Sequence, residues 1–374
     1  MKKLRIISLD GTICMDQTKL INNLDLDSDS DLDSDSESNV NDTNNANNTN
    51  NYRCPLFTIM GHVDTGKTTL LDYLRKTSVQ SHEVGGITQQ IGVTMLSKDI
   101  ILKQLEKIGC NSNKVQIPGL MLVDTPGHEA FKGLRKLGTN LADVALVIID
   151  IMHGLEPQTI ESIKLLIEFK TPFMFVLNKI DRLYGWDKGL ESSSIQQIIQ
   201  SQNANTRDEF DTRFRKIQTQ IMELGINNQL VWLNENEQTL YSDSTDSVIN
   251  VIPLSAITGQ GIPDLLYAII AYSQTTLSNQ IMWNQHLLEC VVMEITNVDG
   301  YGCTLHCVIF NGVLNRNNII KLQSRNNPNT MYYSRVKNIL TLPTNTDSKS
   351  TSAFVSKYTQ HTHIDTACQI KIIG

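Results

Sequence analysis

The chain has 374 residues, a formal net charge of -7, 40% hydrophobic residues and 19% charged residues. This composition is typical of a globular protein with a sizeable core, and the length predicts two domains plus a tail. The longest apolar runs, such as residues 145–149, are far shorter than the roughly 20 residues of a membrane helix, and the start at Lys2 lacks the apolar stretch of a signal peptide. The seven cysteines are scattered without a metal-binding pattern. We therefore predict a cytoplasmic protein that contacts no membrane.

The first part of the chain differs in composition from the rest. Eight acidic residues and no basic residue lie between residues 25 and 42, so the remaining chain has a net charge near +1. Asp alternates with Ser there, and an Asn-rich stretch follows. Such a polar segment buries too little apolar surface to offset its ordering entropy. We predict a disordered tail over residues 1–52, either inert or carrying regulatory serines.

The next stretch is typical of phosphate binding. Residues 56–60 form a short apolar run that predicts a buried strand, and GHVDTGKT follows directly at residues 61–68. Gly66, Lys67 and Thr68 complete a pattern in which backbone N–H groups surround phosphates, the lysine reaches the outer two, and the hydroxyl binds Mg²⁺. An apolar-periodic helix follows, with its N-terminus facing the phosphates. The strand, loop and helix together predict a nucleotide site.

A second motif selects the base. Residues 173–177 predict a strand, and Asn178, Lys179 and Asp181 follow it in the phrase NKID. A carboxylate at Asp181 accepts from both the ring N–H and the amino group of guanine, a donor pair that adenine lacks. Asn178 would steady the loops, and the Lys179 stem would cover the base. The sequence therefore predicts GTP or GDP as the ligand.

A third motif, DTPGH, follows a predicted strand at residues 120–123. Asp124 would hold Mg²⁺ through water, and the Gly127 backbone N–H would sense the γ-phosphate. His128 stands where a residue that orients the attacking water belongs. We predict a catalytic role for His128.

Two further segments complete the predicted site. Thr88, on a glycine-rich loop, offers a second hydroxyl ligand for Mg²⁺. Residues 248–254 predict a strand that leads to Ser255, Ala256 and Ile257, where backbone groups can contact the guanine oxygen. These residues are predicted to bind GTP.

The chain resembles the translational GTPase family in five phrases, which are GHVDTGKT, GGITQQIG, DTPGHE, NKID and SA. Within that family, Thr65 and the phrases GITQQIG and DIMHGLEPQTIESI resemble the eukaryotic branch of the initiation factors. The resemblance covers roughly residues 53–280 and implies an α/β P-loop GTPase domain over them, a mostly parallel sheet with helices on both faces. It implies GTP hydrolysis with Mg²⁺ and the ribosome, including its large and small subunits and rRNA, as the partner.

The resemblance also implies roles for single residues. The family's histidine at the position of His128 acts only when the large ribosomal subunit positions it. Val63 and Ile87 match residues of an apolar gate beside it, and Val63 to Thr68 belong to the predicted GTP-binding loop. Asp64 matches a carboxylate that can hold a monovalent cation, K⁺ or Na⁺, near the phosphates. A plain loop-capping role for Asp64 is the alternative.

The segment after residue 280 predicts a different fold. Apolar residues alternate over residues 288–295, 304–310 and 319–322, which predicts a small all-β barrel domain over residues 281–374. The resembled family docks such a barrel on the small ribosomal subunit. Asn317 and Asn318 replace the Gly and Asp of the family's barrel phrase.

The resembled factors have two further domains, the last of which engages initiator tRNA. This chain stops at Gly374, as a fragment, a truncated gene model or a reduced factor. We predict a monomer that promotes joining of ribosomal subunits and hydrolyses GTP when the ribosome stimulates it. If the chain is complete, GTP binding should survive while recognition of initiator tRNA should not. Two alternatives are a different translational GTPase, such as an elongation factor, and a nucleotide-gated ribosome-binding module without productive turnover.

Overall fold

The computed structural model describes residues 5–8, 52–75, 92–110, 115–125, 138–139, 142–188, 194–230, 248–284, 288–298, 302–323, 331–341, 359–361, 363–364 and 369–373. Two large sheets dominate these ranges, one of seven strands and one of eight. No helix in these ranges is long and apolar enough to cross a lipid bilayer.

The seven-stranded sheet is mostly parallel. In chain order, a short N-terminal strand, β1 (Arg5–Ser8), is followed by the strands of this sheet, which are β2 (Leu56–Gly61), β3 (Gly92–Ser97), β4 (Gly119–Asp124), β5 (Val144–Asp150), β6 (Phe173–Asn178), β7 (Asn227–Leu230) and β8 (Val248–Pro253). The strand order is β3-β4-β2-β5-β6-β8-β7, and only the β3–β4 pair is antiparallel. Every residue of β2, β4 and β5 is buried. Helices cover both faces of the sheet, and strands buried on both faces have nearly continuous apolar sequences.

Within the described ranges, six helices cover this sheet. They are α1 (Lys67–Arg75), α2 (Lys98–Leu105), α3 (Pro157–Phe169), α4 (Ile195–Ser201), α5 (Ala204–Glu223) and α6 (Ile262–Thr275). One apolar core joins the sheet to α1, α2 and α6, and a second core joins it to α3, α4 and α5. The side chain of Asn203 caps α5 by accepting from the Thr206 N–H at 2.8 Å, which satisfies one of the free donors of the first turn. The α/β fold predicted from the sequence is confirmed.

The eight-stranded sheet is antiparallel. Apart from β1, its elements and the small ribbon beside it are β9 (Glu289–Val298), β10 (Gly302–Asn311), β11 (Leu314–Asn315), β12 (Ile319–Gln323), β13 (Met331–Arg335), β14 (Asn338–Thr341), β15 (Thr359–His361), β16 (His363–Ile364) and β17 (Gln369–Ile373). The order is β13-β12-β1-β9-β10-β17-β14-β15, while β11 pairs with β16. Buried side chains such as Cys307, Ile309 and Ile372 form its core. The predicted all-β second domain is confirmed.

The position of β1 corrects one prediction. Arg5–Ser8 pair antiparallel with β12 on one side and with β9 on the other, with Ile6 opposite both Leu322 and Cys290. The prediction of a disordered tail over residues 1–52 is therefore wrong for these four residues, and also for Tyr52, which is buried and pairs with Met282. The strands β9 and β12 pair with the backbone of Arg5–Ser8. These hydrogen bonds offset the entropy lost on ordering the segment, a contribution that amino-acid composition does not reveal.

A buried ion pair fastens the junction between the two sheets. Arg53 donates to both carboxylate oxygens of Asp143 at 2.7 and 2.8 Å, and only 7% of Arg53 is exposed. Its backbone N–H donates to the Ile281 carbonyl at 2.8 Å, and Tyr52 forms a bridge with Met282. The entrance to β2 is thereby tied to the segment that leads into the antiparallel sheet.

Candidate nucleotide-binding site

The predicted motifs meet at one edge of the parallel sheet. β2 ends at Gly61, β4 at Asp124, β5 at Asp150 and β6 at Asn178, and these carboxyl ends lie at the same edge because the strands are parallel. The chain leaves β2 toward β4 on one side and β5 lies on the other, so this edge holds the topological switch point where open α/β sheets bind ligands.

The loop after β2 is wrapped around a lysine. Lys67, 7% exposed, donates its ammonium hydrogens to the carbonyls of Gly61 and His62, and the Thr65 hydroxyl donates to the His62 carbonyl at 2.9 Å. Gly61 lies so close to β5 that a Cβ there would stand 2.6 Å from the Ile148 carbonyl oxygen. The ammonium is therefore held inside the loop, at the N-terminus of α1, in a position suited to phosphate oxygens.

Asn178 joins this loop to the predicted guanine loops. Its Nδ2 donates to the Thr65 carbonyl at 2.8 Å, and its Oδ1 accepts from the backbone N–H groups of Lys179 at 2.7 Å and Ala256 at 3.0 Å. Gly66 has a φ of 92°, and a Cβ there would stand 2.4 Å from the Asn178 Nδ2. Three segments that are distant in sequence are thus fixed by one buried amide.

The carboxylate predicted to select guanine is held from the opposite loop. Ser255, fully buried, donates its hydroxyl to Asp181 Oδ1 at 2.6 Å. The neighbouring Ala256 is 4% exposed, whereas Ile257 is 63% exposed. A carboxylate oriented in this way presents acceptors in a fixed plane, which suits a ligand with two parallel donors.

Lys179 is anchored by a residue that the sequence analysis missed. Its Nζ donates to Asp150 Oδ2 at 2.7 Å, and Asp150 also accepts from the Met152 N–H and lies 3.0 Å from His153 Nδ1. Burial acts to raise the pKa of Asp150, but the hydrogen bonds from Lys179, Met152 and His153 outweigh it and the pKa is lowered. The Lys179 stem is therefore held beside the predicted base position by a charged partner.

The tip of the phosphate loop faces the start of α3. The Val63 N–H donates to Gln158 Oε1 at 3.3 Å, and His62 Nε2 lies 3.5 Å from Glu156 Oε1. Asp64 is exposed and has a φ of 63°, and the described residues donate no capping hydrogen bond to its carboxylate. The two predicted roles of Asp64 remain predictions.

Two oxygen ligands predicted for Mg²⁺ lie at this edge. Thr68 lies in the first turn of α1 and is 9% exposed, and Asp124 ends β4, the neighbour of β2, and is 3% exposed. A hydroxyl and a carboxylate are the hard oxygen donors that Mg²⁺ prefers, and the remaining positions of such a site are normally taken by phosphates and water. The donor set fits the predicted ion.

Four residues of the predicted site lie outside the described residues. They are Ile87, Thr88, Gly127 and His128. Their gating, metal-binding, phosphate-sensing and catalytic roles stay predictions.

Sequence reasoning missed several residues that support the site, namely Asp150, Gln158, Trp186 and Gln260. The signal for Asp150 was its position at the end of a buried strand, at the same sheet edge as Asp124 and Asn178. Gln158, like Asp150, lies in the phrase DIMHGLEPQTIESI, whereas Trp186 and Gln260 belong to no motif and are recognised only by their contacts.

Comparison with known proteins decides the family. The family model described as the elongation factor Tu GTP binding domain matches residues 53–275, more than half of the chain. The chain belongs to the translational GTPase family. The prediction of a GTPase that binds guanine nucleotides is confirmed at this level.

The relatives that this translational GTPase resembles are initiation factors. Eukaryotic translation initiation factor 5B from Saccharomyces cerevisiae is 41% identical over 322 residues, and the human factor is 38% identical over 323. Each match covers 86% of this chain but only 30% and 25% of those proteins. The crystal structure of GDP-bound aIF5B from Aeropyrum pernix has a TM-score of 0.69 and 32% identity, covering 86% of this chain and 52% of that one. The predicted resemblance to the eukaryotic initiation-factor branch is confirmed.

Proposed function

We propose that this translational GTPase acts in initiation, where it promotes the joining of ribosomal subunits and hydrolyses GTP in response to the ribosome. The observation that supports GTP binding and hydrolysis in this proposal is the buried amide of Asn178, which joins the phosphate loop to the guanine loop. Similarity to initiation factors over 86% of the chain supports the place in initiation.

Binding of GTP follows from complementary groups. The Lys67 ammonium and the loop N–H groups neutralise and cradle the phosphates, while Asp181 accepts from the two guanine donors in a plane set by Ser255. In the structure the Lys67 ammonium donates to two loop carbonyls. When a nucleotide binds, Lys67 would donate to phosphate oxygens instead, so the buried ammonium would keep its hydrogen bonds. ATP lacks the donor pair and is excluded.

Hydrolysis is attack of water on the γ-phosphorus, with breakage of the bond to the bridging oxygen and release of GDP and phosphate. Thr68, Thr88 and Asp124 are the residues that would hold Mg²⁺, which when bound neutralises charge on the β- and γ-phosphates. Gly127 senses the γ-phosphate and His128 orients the water. Lys67 stays fixed on the phosphates throughout, so its charge stabilises the transition state without reorganisation.

The ribosome is the partner that this function requires. The large subunit would place His128 and displace the gate of Val63 and Ile87, and the antiparallel domain would face the small subunit and its rRNA. Asp64 would bind K⁺ or Na⁺ beside the phosphates. The active species is a monomer in the cytoplasm, without membrane contact.

GTP turnover with and without assembled ribosomes tests the proposal. Ribosomes should raise the turnover of the chain, and His128→Ala should remove about 10²-fold or more of that stimulation, as loss of a general acid–base or water-orienting group does. The dissociation constant for GTP should stay within about twofold, because His128 acts on water rather than on the nucleotide.

The control variant is His153→Ala, since His153 is 61% exposed in its side chain and the contact described for it is to the Asp150 carboxylate, not to the predicted phosphate position. It should keep ribosome-stimulated turnover. Equal turnover of wild type and His128→Ala with ribosomes would contradict the catalytic assignment. Ribosome binding without any stimulation of wild type would favour the nucleotide-gated binding module.

A further inference from the structure

A second layer of contacts lies behind the two guanine loops. Trp186 follows Asp181 in the chain, Gln260 follows Ala256, and the Trp186 indole N–H donates to Gln260 Oε1 at 2.9 Å. Both residues are buried, with 8% of Trp186 and 4% of Gln260 exposed. This contact therefore links the two loops through residues that follow the predicted base contacts in the chain.

Gln260 also contacts Ser255, the residue that holds Asp181. Its backbone carbonyl accepts from the Ser255 N–H at 2.9 Å, and its Oε1 also accepts from the Thr258 hydroxyl at 3.1 Å. The Thr258 N–H donates to Ser255 Oγ at 3.2 Å, which leaves the Ser255 hydroxyl hydrogen directed at Asp181 Oδ1. The orientation of the Ser255 hydroxyl is thus set by the loop that Gln260 closes.

Trp186 is itself held firmly. Its ring packs in the apolar core with Ile180, Leu183 and Phe210, and its backbone N–H donates to the Leu183 carbonyl at 3.2 Å. Ile180 directly precedes Asp181, so the same core fixes the other end of the carboxylate's loop. The hydrogen bond from Trp186 therefore fixes Gln260 to the buried part of the loop that carries Asp181.

We propose that Trp186 and Gln260 are positioning residues that set the guanine selectivity of the site by fixing, through Ser255, the plane of the Asp181 carboxylate. The proposal rests on the guanine recognition proposed above. A bidentate contact between a carboxylate and two parallel donors depends steeply on that plane. A carboxylate free to rotate keeps a single hydrogen bond and loses the advantage of the second donor.

The test compares GDP with inosine diphosphate, which lacks the 2-amino group and offers only one of the two donors. Removal of the Gln260 acceptor by Gln260→Met, or of the indole donor by Trp186→Phe, should reduce the ratio of the two dissociation constants by about three- to tenfold. That loss is the size expected for one weakened hydrogen bond to a charged group. Gln260→Glu keeps an acceptor for the indole and should restore the ratio to within about twofold.

A matched control is Gln202→Met. Gln202 is also buried, at 4% exposed, and fastens the same loop by accepting from the Asp187 N–H at 2.8 Å. Its hydrogen bonds with the described residues are to Asp187 and Ile199 and not to Ser255. This variant should lower thermal stability and leave the selectivity ratio unchanged. Should Gln260→Met fail to fold, Trp186→Phe carries the same test, because phenylalanine removes the indole N–H but keeps an aromatic ring in the core.

Two results overturn different claims. An unchanged ratio in Gln260→Met and Trp186→Phe, with both dissociation constants shifted equally, would show that the contact only stabilises the fold. A wild-type chain that binds GDP no better than ADP would instead refute the guanine recognition on which the proposal rests.

Discussion

Asn178 donates to the backbone carbonyl of Thr65 at 2.8 Å, across 113 positions of sequence. The same amide accepts from the backbone of Ala256, so one side chain sets the distance between the phosphate loop and the guanine loop. Both the nitrogen and the oxygen of the amide form hydrogen bonds, so the side chain is held in one orientation more firmly than by a single hydrogen bond.

Gly66→Ala is expected to disrupt this junction. The added Cβ would stand 2.4 Å from Asn178 Nδ2, so the amide must move and lose its bond to Thr65, and the φ of 92° is strained for alanine. We expect the dissociation constant for GDP to rise by about 100-fold or more, which corresponds to roughly 3 kcal/mol. Isothermal titration calorimetry measures this directly.

Gly109→Ala is the matched control, because Gly109 has a φ of 70° but, among the described residues beyond its chain neighbours, no atom lies within 4 Å of the added Cβ. It should cost about 1 kcal/mol of stability from strain alone and leave the affinity for GDP within about twofold. Equal GDP affinities for the two variants would contradict the role given to Asn178.

Arg53→Met is expected to destabilise the fold by about 3–5 kcal/mol, since it leaves the Asp143 carboxylate buried without its bidentate partner. Arg213→Met, which breaks the more exposed Arg213–Glu209 pair on α5, should cost at most about 1 kcal/mol. Urea denaturation of both variants gives the two values. Similar losses for both would show that the Arg53 pair adds no more than a surface pair.

Asp264 should make stability depend on pH. Burial raises its pKa from 3.8 to about 6, although the Ile195 N–H donates to it and lowers the pKa. Below pH 3.8 Asp264 is protonated in both the folded and the unfolded state, so ionisation does not lower the free energy of unfolding. As the pH rises from 3.8 to 6, only the unfolded state releases the proton, and the free energy of unfolding falls. Above pH 6 the loss is complete and on the order of 3 kcal/mol.

Asp264→Asn removes this titration while keeping an acceptor for Ile195. It should raise the melting temperature at pH 7.5 and have little effect near pH 4, whereas Asp211→Asn, at an exposed position on α5, should change neither. An increase of equal size at both pH values would show that the gain does not come from ionisation.

The local parts of the fold and site were predictable from the sequence. The loop at Gly66 to Thr68 lies between an apolar strand and a periodic helix, and Asp181 follows another apolar strand, so short-range pattern sufficed. The polar edge strand β7 (Asn227–Leu230) has no such pattern, because its register is set by pairing with β8.

Contacts between distant segments were not predictable. The Lys179–Asp150 and Trp186–Gln260 bonds join residues 29 and 74 positions apart, and neither pair carries a recognisable spacing. The strand at Arg5–Ser8 was missed for a similar reason, since its hydrogen bonds come from β9 and β12, which lie hundreds of residues away in the chain. Only the folded arrangement makes these partners visible.

The nucleotide preference of wild type and Asp181→Asn tests the central claim most directly. A carboxylate offers two acceptors to guanine, whereas an amide offers one acceptor and one donor and therefore matches xanthine, which has a carbonyl in place of the amino group. We expect wild type to prefer GDP over ADP by roughly 10⁴-fold, and Asp181→Asn to prefer xanthosine diphosphate over GDP. Wild type binding ADP about as tightly as GDP, or Asp181→Asn retaining its preference for GDP, would contradict the account.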